Sequence, residues 1–330
     1  MTVLTASPGA MTSILDNAWI RFAARRLVRF AVSLWVLITA AFLMIHLIPG
    51  DPVRAALGIN APVSLVRARR RALGLDDPLL VQYGRYLRGV FTGEFGTSTT
   101  SQLPVSQLIG QRLPATLELS VGAFLVALVI AIPVGTLMGV LTRGGRARRS
   151  ELTFTTTSVV LGAIPDFLAG VVLVWIFGVR LHWFPVAGRS GFDSFVLPTL
   201  ALAVGPAAIL ARILRVELVS VLQADYVRTA RSKRLPARVV YLRHALPNAL
   251  TATITLGGLL LSAMVAGTVL VENVFAWPGL GATIVSSILQ KDYPVVQGIT
   301  LVYGAGVLAI NLLVDIALAL LDPRSAIREN

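Results

Sequence analysis

The sequence predicts an all-α integral membrane protein of about six transmembrane helices. Three observations carry that prediction. Several apolar runs reach twenty residues or more, the length a helix needs to cross ~30 Å of hydrocarbon. Of 330 residues, 55% are hydrophobic and only 14% charged, with a mean hydropathy of +0.78; soluble domains carry about a quarter charged residues. Finally, Arg-rich short connections alternate with connections almost free of Lys and Arg, as the insertion bias of membrane helices demands.

Residues 1–26 read as an N-terminal segment of mixed character, with Trp19 and Phe22 suited to a membrane interface. The first span covers 27–48 and stops at Pro49-Gly50-Asp51-Pro52. This run is too long for a signal-peptide core, and no small-residue cleavage site precedes Pro49, so no cleavable leader is expected. Residues 49–115 form a polar segment of 67 residues with a basic stretch (Arg67, Arg69, Arg70, Arg71) and several turn signals. The core, 116–321, holds five further spans at 116–141, 153–177, 195–214, 250–271 and 295–321, with a polar loop at 216–249. Residues 322–330 form a short tail. No internal repeat stands out.

The net charge is +13, from 27 Arg and 2 Lys against 16 acids. On a soluble chain this would suggest nucleic acid; here it encodes topology. The N-terminal flank holds Arg21, Arg25, Arg26 and Arg29; the loop after the second span holds Arg143, Arg146, Arg148 and Arg149. The loop after the fourth holds Arg228, Arg231, Lys233, Arg234, Arg238 and Arg243. The opposite short loops hold only Arg180, Arg189 and Lys291. Basic short loops face the cytoplasm, and segments beyond about 60 residues escape the rule. Both termini are therefore expected inside, and residues 49–115 outside.

Several function classes fall away. With no cysteine, thiolate metal sites and thiol nucleophiles are excluded. The two lysines, Lys233 and Lys291, do not follow glycine, so no Walker A loop exists. His46, His182 and His244 form no H-E-x-x-H pair, and no G-x-S-x-G occurs, so neither metalloprotease nor serine hydrolase chemistry is encoded. No catalytic residue, metal site or bound cofactor is expected in this chain. His46, His182 and Trp183 read as interfacial residues, as do Trp277 and Tyr293. Glu118 and Asp315 fit pairing at span ends, and Glu217 fits a pair with Arg212 or Arg215.

The most informative segment is QADYVRTARSKRLPARVVYLRHALPNAL, residues 223–250. Val219, Leu222, Tyr226, Val227 and Ala230 recur at helical spacing, which predicts a short amphipathic helix ending near Arg234. Leu235 precedes Pro236 and is biased out of the helical region; Pro236 suits the first turn of a second helix. Two short helices tethered to membrane spans suit a rigid lever pressed into another protein.

DYVRTARSKRL…LRHALPNAL resembles the cytoplasmic "EAA" loop of permease subunits of bacterial ABC importers, and in detail the first permease of the dipeptide/oligopeptide/nickel group. The rest of residues 25–325 agrees in the family's order. HLIPGDP (46–52), GLDDPLLVQYGRYLRGVFTGEFGTS (74–98) and RLPATLELS (112–120) come first. WFPVAG (183–188), LPTLALA (197–203), VENVFAWPGLG (271–281), KDYPVVQG (291–298) and NLLVDIALALLDPR (311–324) follow. The resemblance implies a type I ABC importer permease fold in the bacterial cytoplasmic membrane. It implies a second homologous permease, two ATP-binding-cassette subunits that bind ATP and Mg, and an external substrate-binding protein. It assigns ATPase coupling to Asp225, Tyr226, Ala230, Arg231, Arg234 and Leu235. The family usually has Gly where this chain has Arg234, so either the turn avoids a left-handed backbone or the docking surface differs. Peptides are the implied cargo; nickel or another small solute is the alternative, since those importers share the motifs. A stand-alone secondary transporter would leave the coupling loop unexplained.

Two further expectations concern the path. Pro133, Pro165, Pro198, Pro206 and Gly257-Gly258 interrupt spans, which ordinary kinks would explain singly and a moving bundle around a path explains together. Asp166, after Pro165, lies roughly 20 Å into the third span. Either it caps a second half-helix or it lines the path. The segment 49–115, including Gln82 and Thr92, together with Phe275, Trp277, Pro278 and Gly279, is the expected landing surface for the binding protein.

Overall fold

The computed structural model describes residues 18–47, 53–54, 58, 61–72, 74–145 and 147–321, almost all in helices and their connections. Residues 1–17, 48–52 (most of HLIPGDP), Arg146 and the tail 322–330 lie outside them. Helix α1 is Ala18–Leu47. The polar segment folds into two short helices, α2 (Val63–Ala72) and α3 (Leu79–Thr92). Then come α4 (Val105–Leu141), α5 (Arg148–Ala163) and α6 (Asp166–Leu173), which runs on as a π-helical turn, Val174–Arg180. Helix α7 is Asp193–Val221 and α8 is Asp225–Ser232. Helix α9, Ala237–Val274, contains a π segment at Val240–Ala245. Helices α10 (Leu280–Leu289) and α11 (Tyr293–Leu321) complete the chain.

Among the described residues, five of these helices are long and apolar enough to cross a membrane, and α5 with α6, bent by 97°, brings the number to six if the pair is one span. Helix α4 starts at Val105, well before the expected 116, and α9 starts at Ala237, not 250. Both extend past the bilayer: 37 residues of α4 span roughly 55 Å at 1.5 Å per residue. Hydropathy locates the lipid-embedded part of a helix, and polar turns at its ends escape that signal.

Helix α7 sits at the centre, and α4 packs along it through a stripe of buried small residues: Ala115, Ala123, Ala127, Ala131, Gly135 and Gly139. A Cβ on Gly135 would stand 2.6 Å from the Ala211 carbonyl oxygen, and one on Gly139 2.9 Å from Leu218 Cδ2. In lipid, helices gain little from apolar burial against each other, so close backbone approach through small residues supplies the packing.

The third span is broken rather than continuous. Ile164 and Pro165 are extended (ψ 123° and 137°), and the two halves meet at 97°. Proline excludes its predecessor from the helical region and offers no N–H to the preceding turn. Pro133, Pro198 and Pro206 remain inside continuous helices.

The two ends are tied differently. At the Arg-rich end, Arg215 pairs with Glu151 at 2.6 Å and donates to Thr142, so the expected Arg215–Glu217 pair does not form. The Arg143 guanidinium lies 5.4 Å from the Tyr241 ring centroid. At the opposite end Arg189 pairs with Glu118 at 2.5 Å and sits near the Phe195 and Trp277 rings. In the Arg-rich N-terminal flank, Arg26 of α1 pairs with Asp315 of α11 at 2.8 Å. Trp277, expected in an aromatic belt, is instead fully buried and donates its indole N–H to the Ala115 carbonyl at 3.0 Å.

Candidate functional site: the coupling helix and the interior carboxylates

Helix α8 has two unlike faces. Val227 and Ala230 point inward, onto Leu214 and Leu218 of α7, Leu222 beyond it, and Val240, Ala245 and Ala249 of α9. Asp225, Tyr226, Arg228, Thr229, Arg231, Lys233, Arg234 and Leu235 are exposed. Asp225 lies in the first turn and Arg231 in the last, each sign matching the helix dipole. The outward face is thus strongly basic. Among the six residues assigned to coupling, Ala230 is 6% exposed and packs into this chain's own core rather than standing on the outward face. The exposed Tyr226 phenol has its pKa raised by partial desolvation.

The turn after α8 is left-handed at Arg234 (φ +53°). Arg234 N–H bonds to the Arg231 carbonyl at 2.9 Å and Leu235 N–H reaches back to Ala230 at 3.4 Å. Helices commonly end on such a residue, and glycine is usual there. The turn therefore keeps the conformation that glycine serves and places an arginine in it. Behind the turn, α8 and α9 enclose an open groove of about 570 Å³ with Arg143, Arg231 and Tyr241 among its walls.

Asp166 is the first residue of α6, and the cap position is Pro165, which makes no side-chain cap bond. The capping reading of Asp166 is therefore corrected. Its carboxylate faces α7 and α9 at two glycines: a Cβ on Gly267 would lie 3.1 Å from Oδ2, and one on Gly205 3.6 Å from Oδ1.

Two further carboxylates, within the quoted motifs but not singled out in the sequence, organise the opposite end. Glu272 is fully buried. It accepts hydrogen bonds from the Thr116 hydroxyl (2.6 Å), Gly281 N–H (2.6 Å) and Ala282 N–H (3.1 Å). It thereby holds the start of α10, where anionic groups are favoured. Asp292, 2% exposed, accepts bonds from the Ser98 hydroxyl and from Thr99 N–H and Thr100 N–H. An acid embedded in a membrane protein is the signal that finds both.

The expected landing surface is also revised. Phe275, Trp277 and Gly279 are buried in the bundle, leaving Pro278 half-exposed. Gly279 lies directly against the Glu272 carboxylate, while Phe275 and Trp277 pack into the core with Ala115, Leu119 and Ala201. Thr92 is exposed, whereas Gln82 is half-buried and donates to the Leu75 and Asp77 carbonyls.

With the geometry in place, solved structures show the fold. A chain from an inward-facing crystal form of the MetNI methionine ABC transporter superposes with a TM-score of 0.55 at 19% identity. The match covers 66% of this chain and 97% of that one; a second crystal form gives 0.51 at 20% identity. At that identity the likeness establishes the fold, that of a type I ABC importer permease. The chain belongs to the family described as "Binding-protein-dependent transport system inner membrane component", which matches residues 131–327. The family's N-terminal component matches 19–120. The glutathione transport system permease protein GsiC of Salmonella paratyphi A is 36% identical over 304 residues, covering 92% of this chain and 98% of the relative. GsiC of Pectobacterium atrosepticum is 37% identical over 299 residues, covering 91% and 96%. This chain is accordingly a multi-pass permease subunit of an ABC importer, and it is not the subunit that hydrolyses ATP.

Proposed function

We propose that the importer carries short peptides or peptide-like solutes, the class to which the glutathione named for the relatives belongs. This chain supplies half of the path and a second homologous permease the other half. Its Arg-rich end, with both termini, faces the cytoplasm; residues 49–115 face out, toward the substrate-binding protein. Two ATPase subunits bind ATP and Mg, and one of them receives α8. Asp225, Tyr226, Arg231, Arg234 and Leu235 form the docking face.

The observation that carries the coupling assignment is the division of α8. Its inner side is locked by Val227 and Ala230 to the two central helices, while its outer side is free and basic. A force on that outer face is transmitted to α7 and α9 without passing through a slack linker. The absence of native cysteine makes the test clean. A cysteine at Thr229 should crosslink to an ATPase subunit, and one at Thr92 to the binding protein. Thr229 crosslinks to the binding protein would reverse the orientation. Uptake of labelled dipeptide and glutathione by cells expressing the full set of subunits tests the cargo; uptake of neither overturns the peptide assignment.

A further inference from the structure

Most acids on the spanning helices are partnered. Of the half-buried ones without a partner among the described residues, Glu217 lies in the last turns of α7 near the Arg-rich end, whereas Asp166 lies at the break of a span. Glu272 is satisfied by a hydroxyl and two amides, Asp315 by Arg26, and Glu151 by Arg215. Asp166 has no ion pair and no hydrogen-bond partner among the described residues, and it makes no cap. It lies just beyond α5, whose 16 residues reach roughly 24 Å from the Arg-rich end. A charge at that depth is costly, and such residues face a cavity or a pathway. Two glycines let α7 and α9 approach it closely. The two helices that face the carboxylate present Gly205 and Gly267, and at Gly267 even a methyl group would press on Oδ2 at 3.1 Å. The two halves of the span meet at 97° at Pro165, and the Asp166 carboxylate lies against both α7 and α9.

We propose that Asp166 is a cation-accepting station on the translocation path, where its carboxylate receives the primary ammonium group of a peptide in transit. This rests on the peptide reading above. A primary ammonium offers three donors and a compact charge, which fits a single carboxylate flanked by hydrogen side chains; a guanidinium would need a broader planar partner. The contact is transient by design. One carboxylate with no second anion binds an ammonium strongly enough to offset its desolvation and weakly enough to release it.

The test uses the complete complex in liposomes, with saturating binding protein and a labelled dipeptide. Asp166→Asn keeps the shape and removes the charge. Peptide uptake should fall tenfold or more, the scale of one charge-assisted hydrogen bond, while basal ATP hydrolysis and yield of assembled complex hold. Asp166→Glu, which restores the charge, should recover uptake several-fold over Asn. Gly267→Ala should slow uptake and Gly205→Ala should not. Wild-type uptake in the Asn variant, or equal loss in the Asn and Glu variants, overturns the assignment. Should the Asn variant fail to assemble, Gly267→Ala decides, and wild-type uptake there overturns it as well. A wild-type complex that imports no peptide overturns the cargo reading and this inference with it; normal wild-type import beside an unaffected Asn variant overturns this inference alone.

Discussion

The Thr116 hydroxyl donates to Glu272 Oε1 at 2.6 Å and accepts from Leu280 N–H at 2.8 Å, joining α4, α9 and α10 through one side chain. Glu272 is thus the keystone of the end opposite the coupling helix. Replacing it with Ala leaves the Gly281 and Ala282 amides and the Thr116 hydroxyl without their acceptor. Each orphaned buried group costs about 1–3 kcal/mol, so the purified permease should lose about 3 kcal/mol or more. Glu272→Gln keeps one acceptor oxygen and should lose less. Thermal unfolding in detergent measures both, and an Ala variant as stable as wild type would refute the role.

Glycines around that carboxylate leave no space for a methyl group. A Cβ on Gly279 would overlap the Glu272 carboxyl, and one on Gly281 would stand 2.5 Å from Val269 Cα. Gly279→Ala and Gly281→Ala should each destabilise by about 1–3 kcal/mol, the usual cost of overpacking. Gly281→Ala should be the less forgiving, because its obstacle is backbone. The melting temperatures of the two variants report this order.

Arg234 holds a left-handed backbone at φ +53°. That conformation costs a non-glycine residue roughly 1–2 kcal/mol. Arg234→Gly relieves it and should leave stability equal or up to about 1 kcal/mol higher, the gain being reduced by the greater freedom of glycine in the unfolded chain. If ATPase docking uses the Arg234 charge, the same variant loses coupled uptake while gaining stability. Opposite signs in the two assays would separate docking from folding at this residue.

Ala230 and Arg231 separate the same two effects along α8. Ala230→Asp puts an unpaired charge against Leu214 and Val240, so it should destabilise the chain itself by several kcal/mol. Arg231→Glu changes only the exposed face and should cost at most about 1 kcal/mol, from the reversed dipole interaction. Coupled uptake should nevertheless drop sharply in Arg231→Glu. Normal uptake in that variant would remove Arg231 from the docking face.

Asp292 clips the turn at Ser98–Thr100 to the start of α11. Asp292→Ala should free the amides of Thr99 and Thr100, raising their hydrogen exchange by about tenfold or more, in line with one lost charged acceptor. Exchange elsewhere in α4 should change little. Mass-resolved exchange on the purified permease reads this locally, and unchanged protection at residues 98–101 would contradict the clip.

The number and order of the apolar stretches, the Arg-rich end and the short helix after α7 are legible in the sequence because each depends on local composition, whereas the polar turns that lengthen α4 and α9 are not. Hydropathy marks what lipid will accept, Pro165 and Pro236 mark where a helix must stop or start, and the motifs fix the family. Facing is different. An exposed α8 and a buried α8 share one pattern, and only the contact of Ala230 with the α7 and α9 core reveals which side is inward. Trp277 looks like a belt residue until Ala115, 162 positions earlier, supplies its hydrogen-bond acceptor. The sequence offers a cap or a path role for Asp166, and only the backbone shows Pro165 in the cap position and two glycines beside the carboxylate. Sequence decided what could enter the membrane; tertiary structure decided which polar groups found partners there, because those partners come from distant helices and no local pattern records them.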